Sequence, residues 1–217
     1  MANLENRQKI LAAAQGLFFK QGYHGTTLRD IGRDAHVSMG GIYHHFDSKE
    51  AIYLSLLETA SQAFDFSGLL CLLTDAAFPH NLAEVGRFIA KAIRANKPFF
   101  KLSYVDILEF QGRHMRFTID TLRHTIAQVT QGALQTQMAS GRMRSLHPAI
   151  VTRVILDIYL HYFLEEAMLD KSLADQIGVS EDDLIGQMEQ ILLFGVMTPT
   201  AGDTAAAASP ASFAARN

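Results

Sequence analysis

Thr26 to Glu50 reads TTLRDIGRDAHVSMGGIYHHFDSKE and carries three helix-start signals, a helical turn or two apart. Thr27 precedes Leu28-Arg29-Asp30, so its hydroxyl can accept from the first free amides while Asp30 sits in the positive first turn. Ser38 repeats the device before Met39-Gly40-Gly41-Ile42-Tyr43. Asp47 is expected to repeat it again, with Glu50 three residues on in a capping box. Ile31, Ala35 and Val37 lie between the first two starts, spaced to bury one narrow face of a short helix and its following turn. Two short helices joined by about three residues form a helix-turn-helix, whose second helix is built to enter the DNA major groove.

That second helix, Ser38 to about Phe46, is a poor helix on its own. Each of the adjacent Gly40 and Gly41 costs about 1 kcal/mol against alanine in a helix interior. Glycine there implies that another surface approaches the backbone, either a base edge or a neighbouring helix. Tyr43, His44 and His45 follow, with hydroxyl and ring N–H groups that reach phosphate oxygens. Lys49 adds a cation in the first turn of the next helix, where free amides already favour an anion.

The spacing T-T-x-x-x-I-x-x-x-A-x-V-S-x-G-x-I-Y-x-H-F-x-S-K-E resembles the DNA-binding domain of the TetR family of transcriptional regulators. A fixed pattern over roughly 25 residues is specific, though it covers only the N-terminal quarter of the chain. The resemblance implies a DNA surface made from Thr27, Arg29, Ser38, Met39, Gly41, Tyr43, His44, His45 and Lys49. Within it, Tyr43 and Lys49 are expected on the phosphate backbone, and Arg29, Met39 and Gly41 at base edges. Two positions depart from the family pattern. Gly32 replaces the second residue of the usual Ile-Ala pair and is expected to loosen its helix. His36 replaces the turn glycine, serving either as a residue that tolerates positive φ or as a further DNA contact beside His24, His44 and His45.

The chain has 217 residues, 48% hydrophobic and 19% charged, which suits one or two globular domains. Net charge is −3, and residues 1–50 hold six basic side chains against five acidic ones. The asymmetry has the sign expected of a nucleic-acid binder but is small; the motif carries the argument. The longest apolar run, Leu69-Leu70-Cys71-Leu72-Leu73, falls far short of the ~20 residues of a membrane helix. Residues 1–25 lack the apolar core and cleavage site of a signal peptide. The single Cys71 excludes an internal disulfide, reads as an inert core residue and fits a reducing, cytoplasmic setting.

Helical periodicity continues throughout. The first helix runs from about Glu5 to Gln21 with an apolar stripe of Ile10, Leu11, Ala14, Leu17 and Phe18, and it braces the helix-turn-helix over Ile31, Val37, Ile42 and Phe46. From Ser48 a helix carries Ile52, Tyr53, Leu56, Leu57, Ala60 and Phe64 out of this domain without a linker. Gly68 to Asn81 is a break marked by Pro79. Helices follow over 82–95, from Pro98 to about residue 112 (apolar nearly all round and so expected buried), over 115–139, over 148–169, and from a cap at Ser180 to about Phe194. Residues from about 197 form an Ala/Pro/Thr/Ser-rich stretch without period, expected to be disordered. The fold class is all-α with about nine helices. Its parts are a three-helix helix-turn-helix domain (1–50), a helical effector-binding and dimerisation domain (51–196), and a tail (197–217).

Catalytic and phosphate-loop signatures are missing: no G-x-S-x-G, P-loop or G-x-G-x-x-G occurs, and no cofactor is implied. His114, His124 and His161 with Glu109, Asp120, Glu165 and Glu166 show no H-x-x-x-H or E-x-x-H pair. Asp120–His124 and Glu109–Arg113 read as solvated i,i+4 pairs, so neither a metal site nor an enzyme is expected. The aromatic weight of the second domain fills a core, or lines an apolar cavity with a few polar groups. The resemblance implies such a cavity for a small effector, with candidates Phe64, Phe88, Phe100, Tyr104, Phe110, His114, Phe117, His124, Tyr159 and Tyr162. Helices 148–169 and 184–194 have apolar surface beyond one packing face, and the resemblance implies a homodimer through them. The reading is a ligand-responsive repressor that binds a palindromic operator in double-stranded DNA as a homodimer. The alternative is a helical small-molecule binding protein that no longer engages DNA.

Overall fold

The computed structural model describes residues 2–62, 65–169 and 171–194, and every regular element among them is helical. Eleven helices follow in order: α1 (Ala2–Gln21), α2 (Leu28–Ala35), α3 (Met39–His45), α4 (Lys49–Gln62), α5 (Ser67–Thr74), α6 (Leu82–Ala95), α7 (Lys97–Glu109), α8 (Arg116–Ala139), α9 (Pro148–Leu169), α10 (Leu173–Ile177) and α11 (Glu181–Phe194). No described helix is long and apolar enough to cross a membrane. Phe64 and the stretch 197–217 lie outside the described residues.

Two short helices raise the count above the expected nine. The segment from Gly68 to Asn81 is not all break, because α5 occupies its first half and buries Leu69 and Leu73, one helical turn apart. Cys71, midway between them, points the other way and is exposed, which corrects its reading as a core residue. The five-residue α10 is held at its ends. Ser172 Oγ accepts the N–H of Asp175 at 3.4 Å, and Gly178 closes the helix in the left-handed region at φ 73°.

The α1–α3 unit shares its core with the rest of the molecule. Ile10, Ala14, Phe18, Ile31, Ile42 and Phe46 pack in one cluster with Ile52 and Tyr53 of α4, Phe99 and Leu102 of α7, and Phe110 and Met115 beyond it. Burying each large apolar side chain contributes roughly 1.5–3 kcal/mol, so this junction is part of the folded core. Tyr53, fully buried, donates its hydroxyl to the Leu102 carbonyl at 2.8 Å. Burial pushes its pKa up, which keeps the phenol a neutral donor.

A second cluster joins Leu73 of α5, Leu82, Val85 and Ile93 of α6, Tyr159 and Phe163 of α9, and Ile185 of α11. The buried hydroxyls of Thr130 and Thr152 hydrogen-bond at 2.9 Å and link α8 to α9. Helix α7 is buried on one side only, through Phe99, Leu102, Ser103 and Asp106. Its Tyr104, Ile107 and Leu108 are exposed, contrary to the expectation of an all-round buried helix, because only its inner side meets α4 and the junction core.

Candidate nucleic-acid interface

The local sequence builds α2 and α3 through their caps. Thr27 Oγ1 accepts the Asp30 N–H at 3.1 Å, and Asp30 Oδ2 accepts the Thr27 N–H at 3.1 Å, closing a capping box. The Thr27 hydroxyl also donates to Asp30 Oδ2 at 2.6 Å. These bonds from Thr27 hold the Asp30 carboxyl below its ordinary range. Ser38 Oγ accepts the Gly41 N–H at 3.1 Å and starts α3. For α4 the expected Asp47 cap is corrected to Ser48, whose Oγ accepts the Ala51 N–H at 3.0 Å. Glu50 does not turn back to complete a box; its Oε1 lies 3.3 Å from His114 Nε2 and 3.7 Å from Arg113 Nη2.

His36 occupies the turn at φ 55°, ψ 39°, in the left-handed region. Its N–H donates to the carbonyls of Arg33 and Gly32, ending α2. Gly32 also has a packing reason, since it admits the turn. A Cβ there would stand 2.9 Å from the Val37 carbonyl oxygen and 3.2 Å from Ile42 Cδ1. Gly41 has a similar internal reason, since its Cβ would stand 2.6 Å from Val37 Cγ1. Gly40 differs: it is exposed, and its Cβ would meet only Ser38 Oγ, at 4.0 Å. Packing inside the chain therefore does not explain the missing side chain at Gly40.

These constraints set which side of α3 faces outward. Ile42 is fully buried and Met39 half-buried against the junction core. Ser38, Gly40, Tyr43 and His44 are exposed, Tyr43 at 55%. His45 is half-buried, its ring 5.0 Å from that of His44. Thr27 and Arg29 are exposed at the start of α2. Of the residues expected to face DNA, the structure thus leaves Thr27, Arg29, Ser38, Tyr43 and His44 exposed on α2 and α3. Met39, Gly41 and His45 are partly withdrawn. Gly40, read from the sequence with Gly41 as a glycine that another surface approaches but not counted among the DNA-facing residues, is exposed as well.

Lys49 is engaged elsewhere than expected. Its Nζ donates to the carbonyls of Tyr23 and Thr26, each at 2.6 Å, and lies 4.0 Å from the Tyr23 ring centroid. Burial pushes its pKa down, opposed by the Glu109 carboxylate. Glu109, expected in a solvated pair with Arg113, instead accepts the N–H of Tyr23 at 2.8 Å and of His24 at 2.6 Å. The loop between α1 and α2 is thereby held from both sides, by α4 and by α7.

The residues expected to line one effector cavity are dispersed. Phe110 and His114 pack against Tyr53, with ring centroids 4.9 and 5.8 Å away, in the junction core. Tyr159 is fully buried in the second core, with Tyr162 and Phe88 packed against that cluster. Phe100 touches both clusters. Tyr104 is exposed, His124 is exposed and Phe117 is 83% exposed, so these three do not join a shared interior. An open groove of about 500 Å³ lies at the α7–α8 turn, lined by Glu109, Phe110, Gln111, Arg113 and Arg116.

Comparison with known proteins agrees with this local geometry. Residues 10–56 match the family model of bacterial regulatory proteins, tetR family. The chain is 25% identical over 168 residues to YvkB, an HTH-type transcriptional regulator of Bacillus subtilis (strain 168), spanning 75% of this chain and 83% of that protein. Over 87 residues it is 29% identical to IcaR, the HTH-type negative transcriptional regulator of the biofilm operon icaADBC in Staphylococcus aureus (strain Newman). That match spans 40% of this chain and 45% of IcaR. The fold is similar to that of AibR, crystallised with isovaleryl coenzyme A and operator DNA, at a TM-score of 0.56 and 20% identity over 88% of this chain and 100% of that one. Residues 10–56 therefore carry the helix-turn-helix of bacterial regulatory proteins of the tetR family, on a chain similar along most of its length to an HTH-type transcriptional regulator.

Proposed function

We propose that the chain is a homodimeric, ligand-responsive repressor that reads a palindromic operator with α3 and releases it when a small effector binds. The observation that carries this reading is the exposed side of α3. Gly40, Tyr43 and His44 face outward together while Ile42 anchors the helix, and the chain itself supplies no packing reason for the glycine. Arg29 and the backbone of Gly40 are the candidates for base edges, with Tyr43 and His44 for phosphate oxygens. IcaR, named a negative regulator, supports repression. AibR, held with both an acyl-coenzyme A and operator DNA, supports an effector. A repressor that reads operator DNA works in the cytoplasm, where that DNA lies.

Exposed apolar rows support a dimer. Ile150, Val154 and Ile158 recur every fourth residue on α9, and Ile191 and Phe194 project from α11. Two copies meeting along a two-fold axis would bury these rows and present two α3 helices to half-sites about one DNA turn, roughly 34–36 Å, apart. For the effector, the buried Tyr159 hydroxyl has no hydrogen-bond partner among the described residues. It is a polar anchor within the second core, where an unsatisfied hydroxyl costs about 1–3 kcal/mol.

The alternative, a helical binding protein without DNA affinity, rests on the weak N-terminal basicity. A mobility-shift titration with the DNA flanking the chain's own coding region separates the two. Specific retardation that resists scrambled competitor is expected; binding equal to that of scrambled DNA would favour the alternative.

A further inference from the structure

The groove at the α7–α8 turn has a chemistry of its own. Its single acidic lining residue, Glu109, has both oxygens engaged by the Tyr23 and His24 amides. The remaining charge is cationic. Arg113, 64% exposed, lies over the Phe110 ring at 5.6 Å from its centroid, with Nη2 3.7 Å from Glu50 Oε1. Arg116 Nη2 donates to the Gln111 carbonyl at 3.3 Å. A guanidinium has five N–H donors, so these contacts engage a minority of each fork.

The turn that presents the two arginines is fixed by its backbone. Phe110 and Gly112 both donate their N–H to the Asp106 carbonyl, at 3.0 and 2.9 Å, with Gln111 and Gly112 in the left-handed region at φ 55° and 73°. The buried Asp106 carboxylate then accepts the N–H of His114 at 3.3 Å and of Met115 at 3.0 Å. Two cations and the edge of an aromatic ring are thus set into a concave surface of about 500 Å³, within the range of small-molecule sites.

The geometry points to a binding site for a small organic anion, a carboxylate or phosphate monoester with an apolar body, held by Arg113 and Arg116 in the groove beside Phe110. Arginine forks match the planar oxygens of such groups in paired, charge-assisted hydrogen bonds. The apolar body has the aliphatic stems of the two arginines and the margin of Phe110 that reaches the groove beside it. A bare phosphate of a DNA backbone would use the cations but not the concavity or the ring. This site is separate from the Tyr159 region, because Phe110 belongs to the junction core and Tyr159 to the second.

The test uses the full chain and the fluorescent anion 1-anilinonaphthalene-8-sulfonate, with decanoate, decyl phosphate and decanol as competitors. One saturable site per chain is expected, displaced by decanoate or decyl phosphate but not by decanol. R113Q/R116Q should weaken it at least about tenfold with an unchanged circular dichroism spectrum. R123Q, elsewhere on α8, should leave it intact. R116Q alone, which removes only the contact to the Gln111 carbonyl, carries the comparison if the double variant misfolds. No saturable site, equal affinity in the arginine variants, or displacement by decanol as good as by decanoate would each overturn the site. So would unchanged probe binding with a lower DNA salt slope in R113Q/R116Q, which would make the arginines DNA phosphate contacts. Failure of the wild-type chain to bind any DNA specifically would count against the repressor reading and leave the probe result standing.

Discussion

The Glu109 carboxylate, at the end of α7, accepts the main-chain N–H of Tyr23 at 2.8 Å; its other oxygen accepts that of His24 at 2.6 Å. From the opposite side Lys49 of α4 holds the Tyr23 and Thr26 carbonyls, and the Tyr23 ring packs 4.5 Å from that of Phe110. Thr26 leads straight into the Thr27 cap of α2. The orientation of the helix-turn-helix is therefore tied to α7 as well as to α4, through one five-residue loop (22–26).

Glu109→Ala leaves two amides without their acceptor and removes a charge-assisted clamp, a loss of about 1.5–3 kcal/mol. Hydrogen exchange at Tyr23 and His24 should accelerate by about tenfold or more, ahead of the amides inside α1. Unchanged protection at both amides would show that the loop does not depend on Glu109.

Gly40 and Gly41 should respond oppositely to alanine. At Gly41 the added Cβ meets Val37 Cγ1 at 2.6 Å, so Gly41→Ala should lose about 1–3 kcal/mol of stability in denaturant titrations. At Gly40 the space is open, and Gly40→Ala should gain up to about 1 kcal/mol from helix propensity. DNA affinity of the Gly40 variant should nonetheless fall. A Gly40→Ala protein that binds DNA as well as wild type would remove this glycine from the interface.

The signals legible in the sequence were those whose partners lie within a few residues. Thr27, Ser38 and Ser180 cap the helices they precede, and Pro148 and Ser140-Gly141 bound theirs, because a cap and its amides are three residues apart. The positive φ of His36 is likewise a local consequence of the turn. Glu109 escaped for the opposite reason. Its nearest charge in sequence, Arg113, suggested a solvated pair, whereas its partners lie 85 and 86 residues away. Lys49 bonds to carbonyls 23 and 26 residues back, which no spacing rule encodes. Asp47 and Ser48 are both good caps one residue apart, so only geometry separates them. The aromatic residues of the second domain share composition but sit in two cores and on the surface, which a helical stripe does not distinguish.

Acid should weaken the Thr27–Asp30 box. Asp30 has a folded pKa below its unfolded value, so the unfolded chain binds more protons as pH falls through that interval. The stabilisation is full above the ordinary carboxylate range, about pH 4, and is lost as pH falls through the lowered value. Asp30→Asn should therefore flatten the pH dependence of unfolding below about pH 4. Parallel pH profiles for the two proteins would contradict the assignment.

Ile191→Asp tests the dimer seam. Ile191 is 51% exposed in the single chain, so a folded monomer accommodates the charge. Buried unpaired at a two-fold interface, the same charge costs several kcal/mol, and the dissociation constant should rise by about two orders of magnitude or more. Sedimentation alongside circular dichroism reads this. A folded variant that remains dimeric at wild-type concentrations places Ile191 outside the interface.

Selecting duplexes from a randomised library on the purified chain, then titrating the enriched sequence against a scrambled one at fixed salt, measures the central claim. Reading by two copies of α3 predicts a two-fold symmetric consensus and an affinity ratio of about 10³ or more. An enrichment without symmetry, or a ratio near one, would contradict it.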